Sequence, residues 1–138
     1  MGLQGHQGNQ LISLEFLPTG WHLASGGDDS TVRIWDLRKK QCIYTSPAQD
    51  KLVSSIKFEN NPTARLMFTT SYDQKCRIWG AKSILQGENI GDEWVLLRTL
   101  AGHENKVTSV SFTKDLKRII TTSFDRTFKL WQSVAQNS

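Results

Sequence analysis

His103, Thr121 and Asp125 bring an imidazole, a hydroxyl and a carboxylate close together in the chain. Ser25 with Asp29, and Thr69 with Asp73, repeat the spacing of hydroxyl to acid. An imidazole that polarises a hydroxyl and is itself oriented by a carboxylate is the machinery of nucleophilic hydrolysis. Two observations weigh against that chemistry here. The set recurs, with His6 ahead of Ser25 and Asp29, whereas an enzyme needs one set, and no Gly-x-Ser-x-Gly nucleophile elbow is present. Cys42 and Cys76 have no Cys-x-x-Cys spacing and no nearby His pair, so they read as buried thiols of a reducing compartment, not as zinc ligands. The expectation is a non-catalytic protein with no metal and no cofactor.

The elements that must position these side chains repeat as well. Asp29-Ser30-Thr31-Val32-Arg33-Ile34-Trp35 returns as Asp73-Gln74-Lys75-Cys76-Arg77-Ile78-Trp79 and as Asp125-Arg126-Thr127-Phe128-Lys129-Leu130-Trp131. Each Asp is preceded by an apolar stretch ending in Ser25, Thr69 or Thr121. Alternating runs lie further upstream, at 11–16, 53–58 and 107–112. Alternation of apolar and polar residues is the signature of strands with one face buried, and no extended helical period competes with it. Gly5-His6 and Gly102-His103 open two of the copies, and Ala48-Gln49 opens the middle one. The period is about 44 residues, and the second spacing is lengthened by a Gly-, Asn- and acid-containing stretch at 81–93 that reads as a loop insertion.

Composition agrees with a folded domain. The 138 residues are 38% hydrophobic and 22% charged, with 17 basic and 13 acidic side chains and a net charge of +4. That balance tolerates acidic partners but falls short of an obligate nucleic-acid binder. Apolar runs are far shorter than the roughly 20 residues of a membrane span. Met1-Gly2-Leu3-Gln4 lacks the charged and apolar regions of a signal peptide.

The period, the Gly-His pairs and the terminal Trp, followed by Asp36 in the first copy, resemble the WD40 repeat, whose units are four-stranded blades of a β-propeller. The resemblance implies an all-β fold: a partial propeller of three antiparallel blades at 1–46, 47–101 and 102–138. Strands are expected at 11–16, 22–25, 31–35 and 41–45, then 52–58, 65–70, 75–79 and 94–100, then 107–112, 117–122 and 127–131. The last blade stops after three strands, because Gln132 to Ser138 is too polar for an outer one. The resemblance further implies that Asp, His, hydroxyl and indole form a structural relay. Its members would be His6, Ser25, Asp29 and Trp35; Gln49, Thr69, Asp73 and Trp79; and His103, Thr121, Asp125 and Trp131. The middle relay lacks its His and must be rewired or open, so that blade is expected to be the least stable.

Rings of this kind close with about 4 to 8 blades, so three are expected to form the C-terminal part of a larger propeller, or to associate with copies of themselves. Asp28, Tyr72 and Phe124, just before each relay Asp, occupy turns that WD40 proteins often use for partners. Within the family, the stretch Trp35 to Thr45, Leu100-Ala101-Gly102-His103-Glu104 and the final Asp125 to Trp131 are similar to WD40 subunits of the spliceosomal U4/U6 small nuclear ribonucleoprotein. That similarity implies a nuclear scaffold holding spliceosomal proteins beside U4/U6 RNA. Arg38, Lys39, Lys40, Lys114, Lys117 and Arg118 would be the candidate phosphate contacts. Trp35-Asp36-Leu37-Arg38 also resembles the box of WD40 substrate receptors of cullin-4 ubiquitin ligases, with Arg38 as the contact residue, and a WD40 adaptor outside both machines is the remaining alternative.

Overall fold

The computed structural model describes residue 2 and residues 10–46, 49–59, 66–81 and 94–132. Within them the chain forms three antiparallel sheets. The first contains β1 (Leu11–Phe16), β2 (His22–Gly27), β3 (Val32–Asp36) and β4 (Gln41–Ser46). The second contains β5 (Val53–Phe58), β6 (Leu66–Ser71), β7 (Lys75–Ala81) and β8 (Trp94–Ala101). The third contains β9 (Val107–Phe112), β10 (Arg118–Ser123) and β11 (Phe128–Gln132). Strands lie side by side in chain order in every sheet, so each is a simple meander. The insertion expected from residue 81 begins later, because Ala81 still pairs with Trp94 at the end of β7. The rest of it, 82–93, lies outside the described residues, as do His6 and 133–138.

The turn that carries each acid is built the same way in all three sheets. Ser30 N–H donates to Gly27 O at 3.2 Å, Gln74 N–H to Ser71 O at 3.3 Å and Arg126 N–H to Ser123 O at 3.3 Å. The residue after each Asp is left-handed, with φ of 67° at Ser30, 77° at Gln74 and 70° at Arg126. A tight turn followed by one left-handed residue matches the twist of the two strands it joins. The Asp carboxylate supports it by accepting the N–H two residues on, from Thr31 (3.1 Å), Lys75 (3.1 Å) and Thr127 (2.9 Å).

Alternation along the strands then sorts side chains onto two faces. Ala24, Val32 and Ile34 of the first sheet pack against Ile56, Phe58, Met67 and Trp79 of the second. On its other face the second sheet offers Phe68, Cys76 and Ile78 to Val110, Phe112, Ile119 and Trp131 of the third. Each large apolar side chain removed from water in these layers contributes about 1.5–3 kcal/mol. Gly26 permits the closest approach. A Cβ there would sit 2.6 Å from both Val53 Cγ1 and Ser13 Oγ. Both cysteines are free. Cys76 is buried, and desolvation pushes its thiol up to about 12, so it stays protonated and unreactive. Cys42 is only half-buried, a correction to its reading as a buried thiol, because outer strand β4 is covered on one side alone.

Candidate functional site

In the third sheet, Thr121 lies in the middle of β10, opposite Val110 and Lys129. Trp131 Nε1 donates to Thr121 Oγ1 at 3.0 Å, His103 Nε2 lies 2.7 Å from the same oxygen, and His103 Nδ1 lies 2.9 Å from Asp125 Oδ2. An indole N–H only donates, and a carboxylate only accepts. With a neutral ring the order is therefore fixed: indole to hydroxyl, hydroxyl to Nε2, Nδ1–H to carboxylate. Asp125 also accepts Glu104 N–H at 3.1 Å and Thr127 Oγ1–H at 2.5 Å. The Thr127 hydroxyl first, then His103 and the backbone donors, outweigh desolvation and hold the Asp125 carboxyl well below the usual carboxylate range. Thr121 has no accessible surface, so no substrate atom reaches its hydroxyl.

The second sheet arranges the same positions differently. Trp79 Nε1 donates to Thr69 Oγ1 at 2.9 Å, and Gln49 Nε2 donates to that oxygen too. Gln49 does not bridge on to the acid. Its Oε1 is buried without a partner among the described residues. Asp73 instead takes Arg77 Nη1 at 2.6 Å, with Asp50 N–H at 3.2 Å on the same oxygen. Arg77 also lies 3.6 Å from Asp50 Oδ2. Sequence reasoning missed Arg77. The available signal was a basic residue four positions after the acid in the copy that lacks a His. In the first sheet Trp35 Nε1 donates to Ser25 Oγ at 2.9 Å, and Asp29 Oδ1 accepts Thr31 Oγ1–H at 2.8 Å.

Asp28, Tyr72 and Phe124 occupy one place in three successive turns. Their N–H groups donate to Gln10 O (2.9 Å), Leu52 O (3.1 Å) and Lys106 O (3.0 Å). The Tyr72 and Phe124 rings meet at 5.9 Å and 51°, and Lys106 Nζ sits 4.7 Å from the Tyr72 centroid. Phe124 nevertheless keeps 56% of its surface exposed. The result is an aromatic pair with a cation beside it at the surface.

Arg38 belongs to a second surface group that the sequence did not reveal. Its guanidinium lies 4.3 Å over the ring of Trp21, which is itself exposed, and its Nε is 3.8 Å from Asp36 Oδ1. Burial pushes the Asp36 carboxyl up. The N–H groups of Lys39 and Arg38, with the Arg38 charge, outweigh that and leave it below its ordinary value. Beside it, desolvation lowers the His22 imidazole against the opposing pull of Asp36. Lys39 and Lys40 are exposed on the same turn, and Lys114, Lys117 and Arg118 are exposed around the turn between β9 and β10. Among the described residues no group of three His, Cys, Asp or Glu side chains is placed to hold a metal ion.

Stacked meanders with an indole-to-hydroxyl bond in every sheet are the architecture of a β-propeller segment. The family model for the WD domain, G-beta repeat, matches residues 1–36, 40–80 and 94–132, and the chain belongs to the WD40 repeat family. It is 28% identical to Protein HIRA of Dictyostelium discoideum over 93% of this chain and 13% of that protein. It is 27% identical to nuclear distribution protein nudF 1 of Talaromyces marneffei over 94% of this chain and 26% of that protein. To guanine nucleotide-binding protein subunit beta-5b of Danio rerio it is 31% identical, over 86% of this chain and 28% of that protein. The chain thus spans between 13% and 28% of the length of these relatives.

Proposed function

We propose that this chain is part of a non-catalytic scaffold that gathers other proteins, and that the turns carrying Asp28, Tyr72 and Phe124 are its partner-binding face. The observation that carries the reading is the exposed Phe124 ring, braced by Tyr72 with Lys106 alongside. A rigid aromatic at the centre of a contact, with a cation at its rim, suits capture of an apolar and acidic segment. The relays are structural: in the third sheet His103 ties the acid-bearing turn to Thr121 of the middle strand, and in the second Arg77 of β7 takes the acid instead.

The assembly served is the spliceosomal U4/U6 particle and its tri-snRNP, in the nucleus. This rests on the similarity of Trp35 to Thr45, Leu100 to Glu104 and Asp125 to Trp131 to the WD40 subunit of the pre-mRNA-processing factor four type. U4/U6 RNA lies nearby in that setting, and Arg38, Lys39, Lys40, Lys114, Lys117 and Arg118 are the candidate phosphate contacts. A second reading, a substrate receptor of a cullin-4 ubiquitin ligase, is favoured by one observation: Arg38 is held over Trp21 with 63% of its side chain exposed.

Affinity purification from nuclear extract followed by mass spectrometry separates the two. Recovery of tri-snRNP proteins that falls with Phe124→Ala and Tyr72→Ala supports the first reading. Recovery of a ligase adaptor that is lost with Arg38→Ala supports the second and removes the first. Unchanged recovery by the Phe124→Ala and Tyr72→Ala variants refutes the partner-binding face.

A further inference from the structure

Two turns at one end of the first sheet are joined into a single platform. Leu37 N–H, just after β3, donates at 2.9 Å to the carbonyl of Trp21, just before β2. Asp36 accepts the N–H groups of Arg38 at 2.9 Å and Lys39 at 3.1 Å, so its carboxylate is engaged within the turn. On this frame the Arg38 guanidinium lies 4.3 Å over the indole of Trp21 and keeps most of its surface exposed, although its Nε is 3.8 Å from Asp36 Oδ1. Lys39 and Lys40 are exposed on the same turn.

The fold does not require the indole. The turn between β9 and β10 is built alike: Thr113 N–H donates to Arg118 O and Leu116 N–H to Thr113 O, as Leu17 N–H does to His22 O and Gly20 N–H to Leu17 O. Gly20 and Leu116 are both left-handed, with φ of 87° and 60°. Trp21 therefore corresponds to Lys117, and a lysine serves there. The same comparison shows that the platform stays open whatever covers the first sheet. The Val110, Phe112 and Ile119 face of the third sheet packs against the second, yet Lys117 remains exposed. A sheet laid on the corresponding Leu14, Phe16 and Leu23 face would leave Trp21 at its edge in the same way.

We propose that this platform binds single-stranded RNA: a base continues the layer formed by Trp21 and Arg38, and the adjoining phosphates meet Lys39 and Lys40. The inference rests on the reading above that RNA lies beside these turns, and adds the form of the strand and the side chain on which it stacks. An acidic polypeptide would satisfy the cations but leave the indole without a flat partner. A duplex keeps its bases stacked inside, so the indole selects unpaired strand. Lys114, Lys117 and Arg118, at the same end of the third sheet, offer further phosphate contacts.

Fluorescence anisotropy of a labelled oligouridylate titrated with the 138-residue chain tests this. The wild-type chain is expected to bind at low salt, with quenching of indole emission. Trp21→Ala is expected to weaken binding about 5-fold or more, the loss of one base stacked on an aromatic ring, and Trp21→Phe to retain most of it. Lys39→Ala and Lys40→Ala should each reduce the slope of log affinity against log salt by about 0.7. Lys51→Ala makes the same charge change at the opposite end of the second sheet and should leave affinity unchanged. Should Trp21→Ala lose its β-sheet circular dichroism, Trp21→Lys, which carries the counterpart residue, takes its place and is read by loss of the quenching. Absence of binding at about 100 μM chain and about 50 mM salt overturns the proposal. So does a Trp21→Ala variant that binds as wild type, or a loss with Lys51→Ala equal to that with Lys39→Ala. Oligoglutamate or duplex RNA binding as tightly as the oligouridylate also overturns it, because charge alone would then suffice. Failure here with tri-snRNP recovery intact removes only the RNA site, whereas binding here without that recovery removes only the spliceosomal assignment.

Discussion

Arg77→Leu removes the cation that closes the hydrogen-bond network of the second sheet. Its Nη1 lies 2.6 Å from Asp73 Oδ2, and the Asp73 side chain is 6% exposed. Leaving a buried carboxylate wholly unpaired costs about 3–5 kcal/mol. Asp73 keeps the N–H groups of Asp50 and Lys75 as donors, so the loss lies nearer that of one hydrogen bond to a charged group, about 1.5–3 kcal/mol. At a urea slope of roughly 2 kcal/mol per M, a loss of about 2 kcal/mol lowers the midpoint by about 1 M.

The same geometry specifies a rescue. In the third sheet Asp125 Oδ2 takes Glu104 N–H and His103 Nδ1, just as Asp73 Oδ2 takes Asp50 N–H and Arg77. Gln49→His in the Arg77→Leu background places an imidazole between Thr69 and Asp73 and is expected to restore about 1 kcal/mol. In the wild-type background the same change gains little, because Arg77 already occupies the oxygen. Equilibrium urea unfolding followed by tryptophan fluorescence reads all three variants. A midpoint for Arg77→Leu within 0.2 M of wild type (about 0.4 kcal/mol at that slope), or no recovery with Gln49→His, refutes the reasoning.

Thr121→Val removes the oxygen shared by Trp131 Nε1 and His103 Nε2, and is expected to cost about 2 kcal/mol by the same unfolding assay. Gly26→Ala drives a methyl into Val53 across the first two sheets, so a loss of about 1–3 kcal/mol is expected; Gly20→Ala meets no atom within 4 Å, but its φ of 87° disfavours a side chain and costs about 1–2 kcal/mol through the backbone. Asp125 titrates below its unfolded value of about 4, so the stability it contributes is complete above that pH and is lost as pH falls through the lower folded value. The wild-type urea midpoint should therefore drop on acidification below about pH 4, and that drop should be shallower in Asp125→Asn.

Strand positions were readable because each depends on residues within a few places of one another. Period-two alternation set β1, β5 and β9, and the fixed spacing from acid to indole set the turns that follow β2, β6 and β10. The grouping of His103, Thr121, Asp125 and Trp131 was readable for the same reason: all four residue types stand at their repeat positions, and three hydrogen bonds join them. Arg77 was not readable. Arg33 holds the same repeat position, yet its Nη1 donates to Thr45 Oγ1, not to an acid. Residue type alone does not choose between those partners; the choice follows from what else reaches the carboxylate. The Arg38 contact with Trp21 was hidden in a similar way, since it joins two separate turns at one end of the first sheet and no single strand encodes it.

Burial was the quantity least accessible to a reading along one strand. Leu14 and Ile56 are both branched aliphatic side chains in equivalent register, each opposite the hydroxyl that receives an indole N–H, yet one is half exposed and the other is in the core. The difference lies entirely in whether a neighbouring sheet covers the face. Apolar residues at Leu14, Ile56 and Val110, and at Ala24, Phe68 and Ile120, show that every repeat carries both halves of an inter-sheet contact. Two such contacts are satisfied within the described chain. Burying the remaining two halves would be favourable by about 25 cal/mol for each Å² covered, so they are surfaces with a standing drive to be covered. Stability of this chain should therefore rise with whatever occupies its two end faces.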